Sequence, residues 1–138
     1  MSAAQYPPQP APDVDSEPFW AAAADGRLAL CRCTECRRWL QPPLERCRHC
    51  EAVTTFEPVA GNGTVYSFIV QRQASVVGYL DDLPYVVALV ELDEQPGLRL
   101  PSRLVGVEPE AVAIGMPVAV EFAALPGGDY TIPVFRPA

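Results

Sequence analysis

The sequence predicts a mainly β protein in which a short N-terminal helix and a zinc ribbon precede a small closed barrel of the OB type. Three observations support this prediction: two Cys-x-x-Cys pairs separated by ten residues, 16 prolines and 9 glycines in 138 residues, and short alternating apolar stretches after residue 54. Paired cysteines of this kind hold structural zinc. Short strands with frequent turn signals are typical of small barrels.

The N-terminal stretch predicts a tail followed by a helix. Residues 1–15 are rich in proline, alanine and glutamine and lack apolar periodicity, so they are expected to be disordered or to lie extended on a partner. Ser16 suits the N-cap position, Pro18 the first turn, and Gly26 the left-handed position after the C-terminus. These signals bound a helix of about two turns, which is too short to be stable alone.

The cysteine-rich stretch predicts a closed metal site. Structural Zn²⁺ takes four ligands in a tetrahedron, and each Cys-x-x-Cys turn presents two sulfurs to one point. A redox dithiol is disfavoured because neither pair lies in a βαβ pattern. Residues 16–53 are therefore expected to form the short helix and a zinc ribbon with one structural Zn²⁺. The expected ligands are Cys33, Cys36, Cys47 and Cys50.

Two further side chains in this stretch could bind metal. Cys31 lies two residues before Cys33, so it is expected to be a strand thiol rather than a substitute ligand. His49 lies between two cysteines that already fill the ligand positions, so it is expected to be a turn residue. An odd count of five cysteines, four of them at metal spacing, fits a reducing compartment better than a disulfide scaffold.

Residues 54–138 are expected to form the barrel. Five or six short strands are indicated, separated by turn signals such as Gly61-Asn62-Gly63 and the Pro-Gly-Gly-Asp at 126–129. A single helical turn is expected within residues 108–114. Short strands in this number, with one short helix, are typical of an OB-type barrel.

The sequence does not show the pattern of a catalytic site. Its one histidine lies within the zinc-binding stretch, which disfavours a Ser/His/Asp or Cys/His triad. A zinc ion held by four thiolates has no open position for water. We therefore assign no catalytic residue and expect a binding module. The apolar runs are too short to cross a bilayer and a signal peptide is not recognised, which indicates a cytoplasmic protein.

The charge balance bears on possible partners. A net charge of −7 disfavours binding to nucleic-acid phosphates, although zinc ribbons and OB barrels often do bind them. Tyr66 and Phe68 share strand parity and could stack on bases or fill the barrel interior. The basic side chains of the ribbon form either a solvated face that shields the thiolates or a patch for an anionic partner, such as the phosphates of a nucleotide-bearing cofactor. They are Arg32, Arg37, Arg38, Arg46 and Arg48.

Several short motifs in a fixed order resemble the acyl-CoA-associated family with a rubredoxin-like zinc ribbon and an OB-fold domain. They are Pro18-Phe19-Trp20, Gly26-Arg27-Leu28, the two cysteine pairs, Pro42-Pro43, and the stretches 63–68, 83–92 and 115–118. In that family the four cysteines are the zinc ligands. The residue after the second cysteine of each Cys-x-x-Cys turn, or knuckle, is usually glycine in that family. Here these two positions hold Arg37 and Glu51. A non-glycine residue there must adopt a left-handed conformation or tilt the turn.

The resemblance implies a non-catalytic accessory subunit that docks on a thiolase-superfamily enzyme. Such enzymes include thiolases, hydroxymethylglutaryl-CoA synthases and lipid-transfer-protein-like aldolases that shorten steroid side chains as CoA thioesters. A hetero-oligomer of two plus two subunits is expected, and acyl-CoA could bind near the shared interface. Binding to nucleic acid or to a membrane is not expected. A single-stranded nucleic-acid-binding module stays open as the alternative, and the overall acidity favours the first function.

An accessory chain must offer apolar side chains to its partner. Phe19 and Trp20 are adjacent on the short helix and point in different directions, so either one packs inward while the other faces a partner, or both cover the ribbon. Phe135, in the apolar C-terminal stretch, is the third docking candidate.

Overall fold

The computed structural model describes residues 6–73 and 76–138 and confirms the mainly β fold, with a ribbon followed by a closed five-stranded barrel. The described residues contain one α-helix, α1 (Glu17–Ala24). Their strands are β1 (Ala29–Cys33), β2 (Trp39–Leu40), β3 (Thr54–Pro58), β4 (Asn62–Gln71), β5 (Tyr85–Leu92), β6 (Arg99–Leu104), β7 (Pro117–Ala124) and β8 (Thr131–Pro137). A 3₁₀ turn at Pro109–Ala111 takes the place of the helical turn expected within 108–114.

The N-terminal segment lies against the barrel. Pro7 is buried, and the side-chain amide of Gln9 donates a 3.0 Å hydrogen bond to the carbonyl oxygen of Pro126. Residues 6–13 have no regular secondary structure and lie along the chain's own barrel, whereas the sequence predicts disorder or extension on a partner. Residues 1–5 lie outside the described part of the chain. Prolines restrict the unfolded segment, so ordering it costs less conformational entropy than the composition suggests.

Helix α1 has the predicted bounds, and local hydrogen bonds explain both ends. Ser16 Oγ accepts from the amide of Asp13 at 3.1 Å, while Asp13 Oδ1 accepts from the amide of Ser16 at 2.9 Å. This reciprocal pair fixes the entry to the helix, and Ser16 makes no cap bond to the first turn. At the C-terminus Gly26 has φ +74°, and the amide of Arg27 donates to the carbonyl of Ala22 at 2.9 Å. These are the features of a Schellman ending.

The ribbon sheet has the strand order β2-β1-β3, with both pairs antiparallel. Strand β3 pairs with all five residues of β1, from Ala29 opposite Pro58 to Cys33 opposite Thr54. The placement of residues 54–58 in the barrel is therefore wrong, because these residues hydrogen-bond to the ribbon. Phe56 of this strand packs against the small buried cluster of the ribbon.

The barrel closes in the order β4-β5-β6-β8-β7, with β7 returning to β4. Its neighbouring strands are antiparallel except at the seam between β6 and β8, which is parallel and has one paired position, Leu104 opposite Phe135. Pro101 and Pro133 lie on these two strands. Phe135 is 0% exposed and belongs to the barrel core, so it is not available for docking. It faces the barrel interior and lies in the same buried cluster as Leu104, its pairing partner on β6.

Ribbon and barrel share one core. Leu28, Leu30 and Trp39 are buried in the same apolar cluster as the inward-facing side chains of the barrel. The side chain of Gln95, in the turn between β5 and β6, also bonds to edge strand β2. Its Oε1 accepts from the amide of Trp39 at 2.9 Å, and its Nε2 donates to the carbonyl of Trp39 at 3.1 Å. The side-chain amide of Gln95 therefore pairs with the free edge of β2 as a residue of a neighbouring strand would.

Replacing Gln95 by alanine should leave both backbone groups of Trp39 without these partners. We expect a loss of about 1–3 kcal/mol in the free energy of unfolding, measured by urea titration of the zinc-loaded chain. Gln73→Ala, at an exposed position in the loop after β4, is the control. Equal unfolding midpoints for the two variants would show that the hydrogen bonds between Gln95 and Trp39 add nothing to stability.

Candidate functional site

Four cysteine sulfurs converge between the two turns of the ribbon. All four Sγ atoms lie within 4.8 Å of one another, with Cys33 to Cys50 at 3.3 Å and Cys36 to Cys47 at 3.7 Å. A tetrahedral site with zinc–sulfur bonds of about 2.3 Å has sulfur–sulfur edges of roughly 3.8 Å. The donor set therefore fits one zinc ion with no protein ligand to spare. Such a site is structural, because the metal keeps no open coordination position.

Backbone amides surround the sulfurs. The amides of Glu35 and Cys36 each lie 3.4 Å from Cys33 Sγ, and the amide of His49 lies 3.3 Å from Cys47 Sγ. These N–H groups direct partial positive charge at the thiolates, which stabilises the form that binds metal. The contribution of His49 to the site is thus its backbone amide, and its side chain is outside the four-sulfur cluster.

The thiol pKa values show how closely the sulfurs are coupled. Burial raises the pKa of Cys33, but the amides of Glu35 and Cys36 together with the sulfurs of Cys50 and Cys36 outweigh it and lower that pKa to about 6. The amide of Arg38 favours the Cys36 thiolate, yet burial and the sulfurs of Cys33 and Cys47 raise the pKa of Cys36 to about 11. Four thiolates this close can all be anionic at neutral pH only with a cation between them, so the pKa pattern agrees with a metal site.

Both knuckles end in a non-glycine residue with left-handed backbone, which is the first of the two conformations that the sequence left open. Arg37 has φ +65° and Glu51 has φ +66°. Each residue directly follows the second cysteine of a pair. A side chain in this region costs free energy that glycine does not. The chain therefore carries a small strain at each knuckle.

The spare cysteine is separate from the metal centre. Cys31 is 1% exposed, and its Sγ lies 3.5 Å from the carbonyl oxygen of Leu44. It packs in the ribbon cluster with Leu40 and Phe56. The side chain is outside the group of four converging sulfurs, as expected for a strand thiol.

The arginines of the ribbon are partly neutralised by the chain itself. Glu57 forms ion pairs with Arg37 at 2.7 Å and with Arg32 at 3.4 Å, and the hydrogen bond from Arg37 holds the pKa of Glu57 below its ordinary value. The Arg32 guanidinium also lies 4.5 Å from the ring centre of Trp39. These contacts favour a solvated structural face over a patch for an anionic partner.

The aromatic pair of the short helix lies at the barrel seam. Phe19 packs against the barrel core, and Trp20 meets Phe19 edge to face at 5.0 Å and Tyr130 at 5.9 Å. Both rings are half-buried and line a groove of about 370 Å³. The groove is mainly apolar. Its other walls come from the ribbon and the seam strands and include Pro43, Phe56, Pro101, Ile132 and Pro133.

The two barrel aromatics considered for base stacking are on different sides of the sheet. The pairing of β4 with β5 shifts between Val65 and Ser67, so Tyr66 lies in a β-bulge. Tyr66 faces outward beneath the Arg99 guanidinium, 3.6 Å from its ring centre, whereas Phe68 packs against the barrel core. The two rings therefore do not form a common stacking surface, and of the two only Phe68 packs against the barrel core. Within the described residues, no helix is long and apolar enough to cross a membrane.

A four-cysteine ribbon followed by a five-stranded barrel defines a zinc-ribbon and OB-fold protein. Family models agree with this class along most of the chain. A model described as "ChsH2, rubredoxin-like zinc ribbon domain" matches residues 20–57, and one described as "ChsH2, C-terminal OB-fold domain" matches residues 56–123. The chain belongs to the ChsH2-type DUF35 family.

Relatives extend the similarity to named proteins. A "Probable enoyl-CoA hydratase alpha subunit" of Thermomonospora curvata is 41% identical over 133 residues, 95% of this chain and 40% of the relative. A "3-oxo-4,17-pregnadiene-20-carboxyl-CoA hydratase alpha subunit" of Mycobacterium tuberculosis is 41% identical over 78 residues, 56% of this chain and 23% of the relative. This chain thus matches less than half the length of either protein.

Among solved structures, a chain in the "Ltp2-ChsH2(DUF35) aldolase" superposes with a TM-score of 0.84 at 39% identity. The match covers 94% of this chain and 98% of that chain. In contrast to the two hydratase subunits, the similarity here runs through nearly the whole of both chains.

Replacing a zinc ligand should unfold the ribbon, whereas replacing the spare cysteine should not. We expect Cys36→Ser to lose stoichiometric zinc and the cooperative unfolding of the ribbon, because folding and metal binding are one event. Cys31→Ser should keep one zinc per chain and lose about 1 kcal/mol or less of stability. Metal analysis and thermal unfolding of both variants check this. Equal damage by the two substitutions would contradict the ligand assignment.

Relieving the strain at the second knuckle should strengthen the site. Glu51 is exposed, so Glu51→Gly removes the cost of the left-handed conformation with little loss of packing. We expect a gain of about 0.5–1 kcal/mol, or roughly two- to fivefold tighter zinc binding in a chelator competition. Glu35→Gly, at another exposed ribbon position without a positive φ, is the control and should bind zinc no more tightly than the wild type.

Proposed function

We propose that this chain is a non-catalytic accessory subunit that docks on a thiolase-superfamily enzyme acting on acyl-CoA thioesters. The partner we infer is a lipid-transfer-protein-like aldolase of steroid side-chain degradation. One observation carries the proposal: the chain is 39% identical to a chain in the Ltp2-ChsH2(DUF35) aldolase and covers 98% of it. We place one copy on each enzyme subunit, which gives a complex of two plus two.

The relatives support the class of substrate. Two of the matched relatives are named as subunits of hydratases that act on CoA thioesters, and the name of one specifies a steroid-derived acyl group. These names concern proteins much longer than the matched segment. They support a role beside an acyl-CoA enzyme, and the aldolase match is what favours an aldolase over a hydratase as the partner.

The chemistry of the site supports a role without catalysis. Four thiolates complete the coordination of zinc, so the metal cannot activate water or polarise a thioester carbonyl. The single histidine lies in a knuckle, where its amide donates to a ligand sulfur. The described residues thus offer a binding surface and a metal-stabilised ribbon, and the reaction is assigned to the partner.

We assign docking to the surface around helix α1. Trp20 is half-buried at the edge of an apolar groove, and large aromatic side chains at such positions are frequent anchors of interfaces. Phe19, which packs on the barrel core, serves mainly to hold Trp20 in place through their edge-to-face contact. Phe135 has no part in this surface because it is enclosed in the barrel.

Truncating the docking aromatic should weaken the complex. We expect Trp20→Ala to bind the Ltp2 component of the related aldolase with an affinity lower by about thirtyfold, which corresponds to about 2 kcal/mol. The Kd is measured by calorimetry with purified chains, and the aldol-cleavage rate of each mixture is followed. Ile114→Ala removes an equally apolar side chain that is 72% exposed and outside the groove, so it is the control.

The same mixtures test whether catalysis belongs to the partner enzyme. The isolated chain should not turn over CoA thioesters, and activity should require the Ltp2 component. Turnover by the isolated chain that a single substitution abolishes would overturn the accessory role. Failure of the wild-type chain to bind Ltp2 would contradict the proposed partner. Wild-type affinity of Trp20→Ala would show that helix α1 is not part of the interface.

A further inference from the structure

A second groove adjoins Trp20. It has a volume of about 640 Å³ and is formed by helix α1, the N-terminal segment and the turn that joins β7 to β8. Trp20 lines this groove as well as the groove of about 370 Å³, so the two depressions meet at its ring. The other aromatic wall is Tyr130, and the small side chains of Ala21 and Ala24 form part of the helical side. We call this second depression the helix groove.

Two carboxylates without a cation line the helix groove. Glu17 precedes Trp20 by three residues on α1, a spacing that puts both side chains on one face of the helix, and Asp129 directly precedes Tyr130. Both residues are exposed, and within residues 6–73 and 76–138 neither side chain has an ion pair or a hydrogen bond. The described lining of the groove contains no arginine. Both negative charges are therefore accessible to a partner.

Elsewhere in the chain, an aromatic ring beside a carboxylate holds an arginine. Three guanidinium groups each lie over a ring and form an ion pair at the same time. They are Arg32 with Trp39 and Glu57, Arg99 with Tyr66 and Glu91, and Arg103 with Tyr85 and Asp82, at 4.5, 3.6 and 5.2 Å from the ring centres. A planar guanidinium suits both contacts, because it stacks on the ring while its N–H groups donate to the carboxylate.

We propose that the helix groove binds a segment of the partner enzyme that bears an arginine. The guanidinium lies over the Trp20 ring and donates hydrogen bonds to the carboxylates of Glu17 and Asp129, which completes the arrangement that the chain makes three times with its own arginines. Arginine and tryptophan are both enriched among the residues that anchor interfaces. The inference rests on the proposed function, because it extends the docking surface around Trp20 and specifies the chemistry of the partner there.

The experiment removes the two charges and keeps the rings. Glu17→Gln and Asp129→Asn, alone and combined, are titrated by calorimetry with the Ltp2 component of the related aldolase. We expect each single variant to bind about threefold more weakly and the combined variant about tenfold more weakly, because the arginine loses charge-assisted hydrogen bonds that the interface shields from water. Added salt should weaken the wild type more than the combined variant.

Asp93→Asn combined with Glu108→Gln is the matched control. Both side chains are exposed, have no ion pair in the described part of the chain and lie outside the helix groove. This variant changes the net charge by the same amount, and it should bind Ltp2 as the wild type does. Glu17 is also the acidic residue in the first turn of α1, so thermal unfolding of the free variants identifies any loss of stability at the helix.

Chemical protection identifies the side chain of the partner. Ltp2 is treated with the arginine reagent phenylglyoxal, with and without the wild-type chain, and the modified Ltp2 peptides are identified by mass spectrometry. We expect the bound chain to protect an arginine of Ltp2. Replacing that arginine with glutamine should weaken binding of the wild-type chain about tenfold and should not weaken binding of the combined variant further.

Protection of no arginine in Ltp2, or binding of the folded combined variant at the affinity of the control, would overturn the inference and leave the proposed function standing. An additive loss from the two sides would also overturn it, because the Ltp2 arginine would then contact something else. If the wild-type chain does not bind Ltp2 at all, the proposed function fails and this inference fails with it.

Discussion

The tetrahedral coordination of one metal ion by four thiolates is the constraint on which the N-terminal part of the chain depends. The ribbon has a two-residue edge strand, and its own buried cluster consists of Cys31, Cys33, Leu40 and Cys47. A cluster of this size cannot offset the conformational entropy of ordering the loops around it. Metal–sulfur bonds must therefore supply the difference, and the amides directed at the sulfurs lower the cost of forming the thiolates.

Because ribbon and barrel share one core, the metal site also affects the packing of the barrel. Leu28, Leu30 and Trp39 come from the ribbon side of the chain, yet they are buried with the barrel side chains. Gln95 adds polar contacts across the same junction. Helix α1 lies against β1 and β8, one strand from each sheet. The position of Trp20 is thus set jointly by the ribbon, which the metal site holds, and by the barrel.

Sequence reasoning recovers the features that depend on local chemistry. The helix bounds follow from Ser16 and Gly26, and the metal site follows from cysteine spacing, because both are determined by neighbours in the chain. Sequence reasoning fails where the structure depends on pairing between residues that are far apart in the chain. Alternation identifies residues 54–58 as a strand, but only hydrogen bonding to β1 shows to which sheet they belong.

Two aromatic side chains show the same limit at the level of single residues. The bulge at Tyr66 reverses the expected relation between Tyr66 and Phe68, since one extra residue turns the ring to the outer face. Phe135 looks like an exposed side chain near the end of the sequence, and closure of the barrel buries it.

The seam between β6 and β8 also bears on how the free chain avoids aggregation. Strands that diverge after a single paired position expose backbone groups that can recruit the edge of another molecule. Pro101 and Pro133 lack the N–H that such pairing requires, and the helix that carries Trp20 lies beside them. The proline-bearing seam thereby protects the newly made chain against edge-to-edge aggregation.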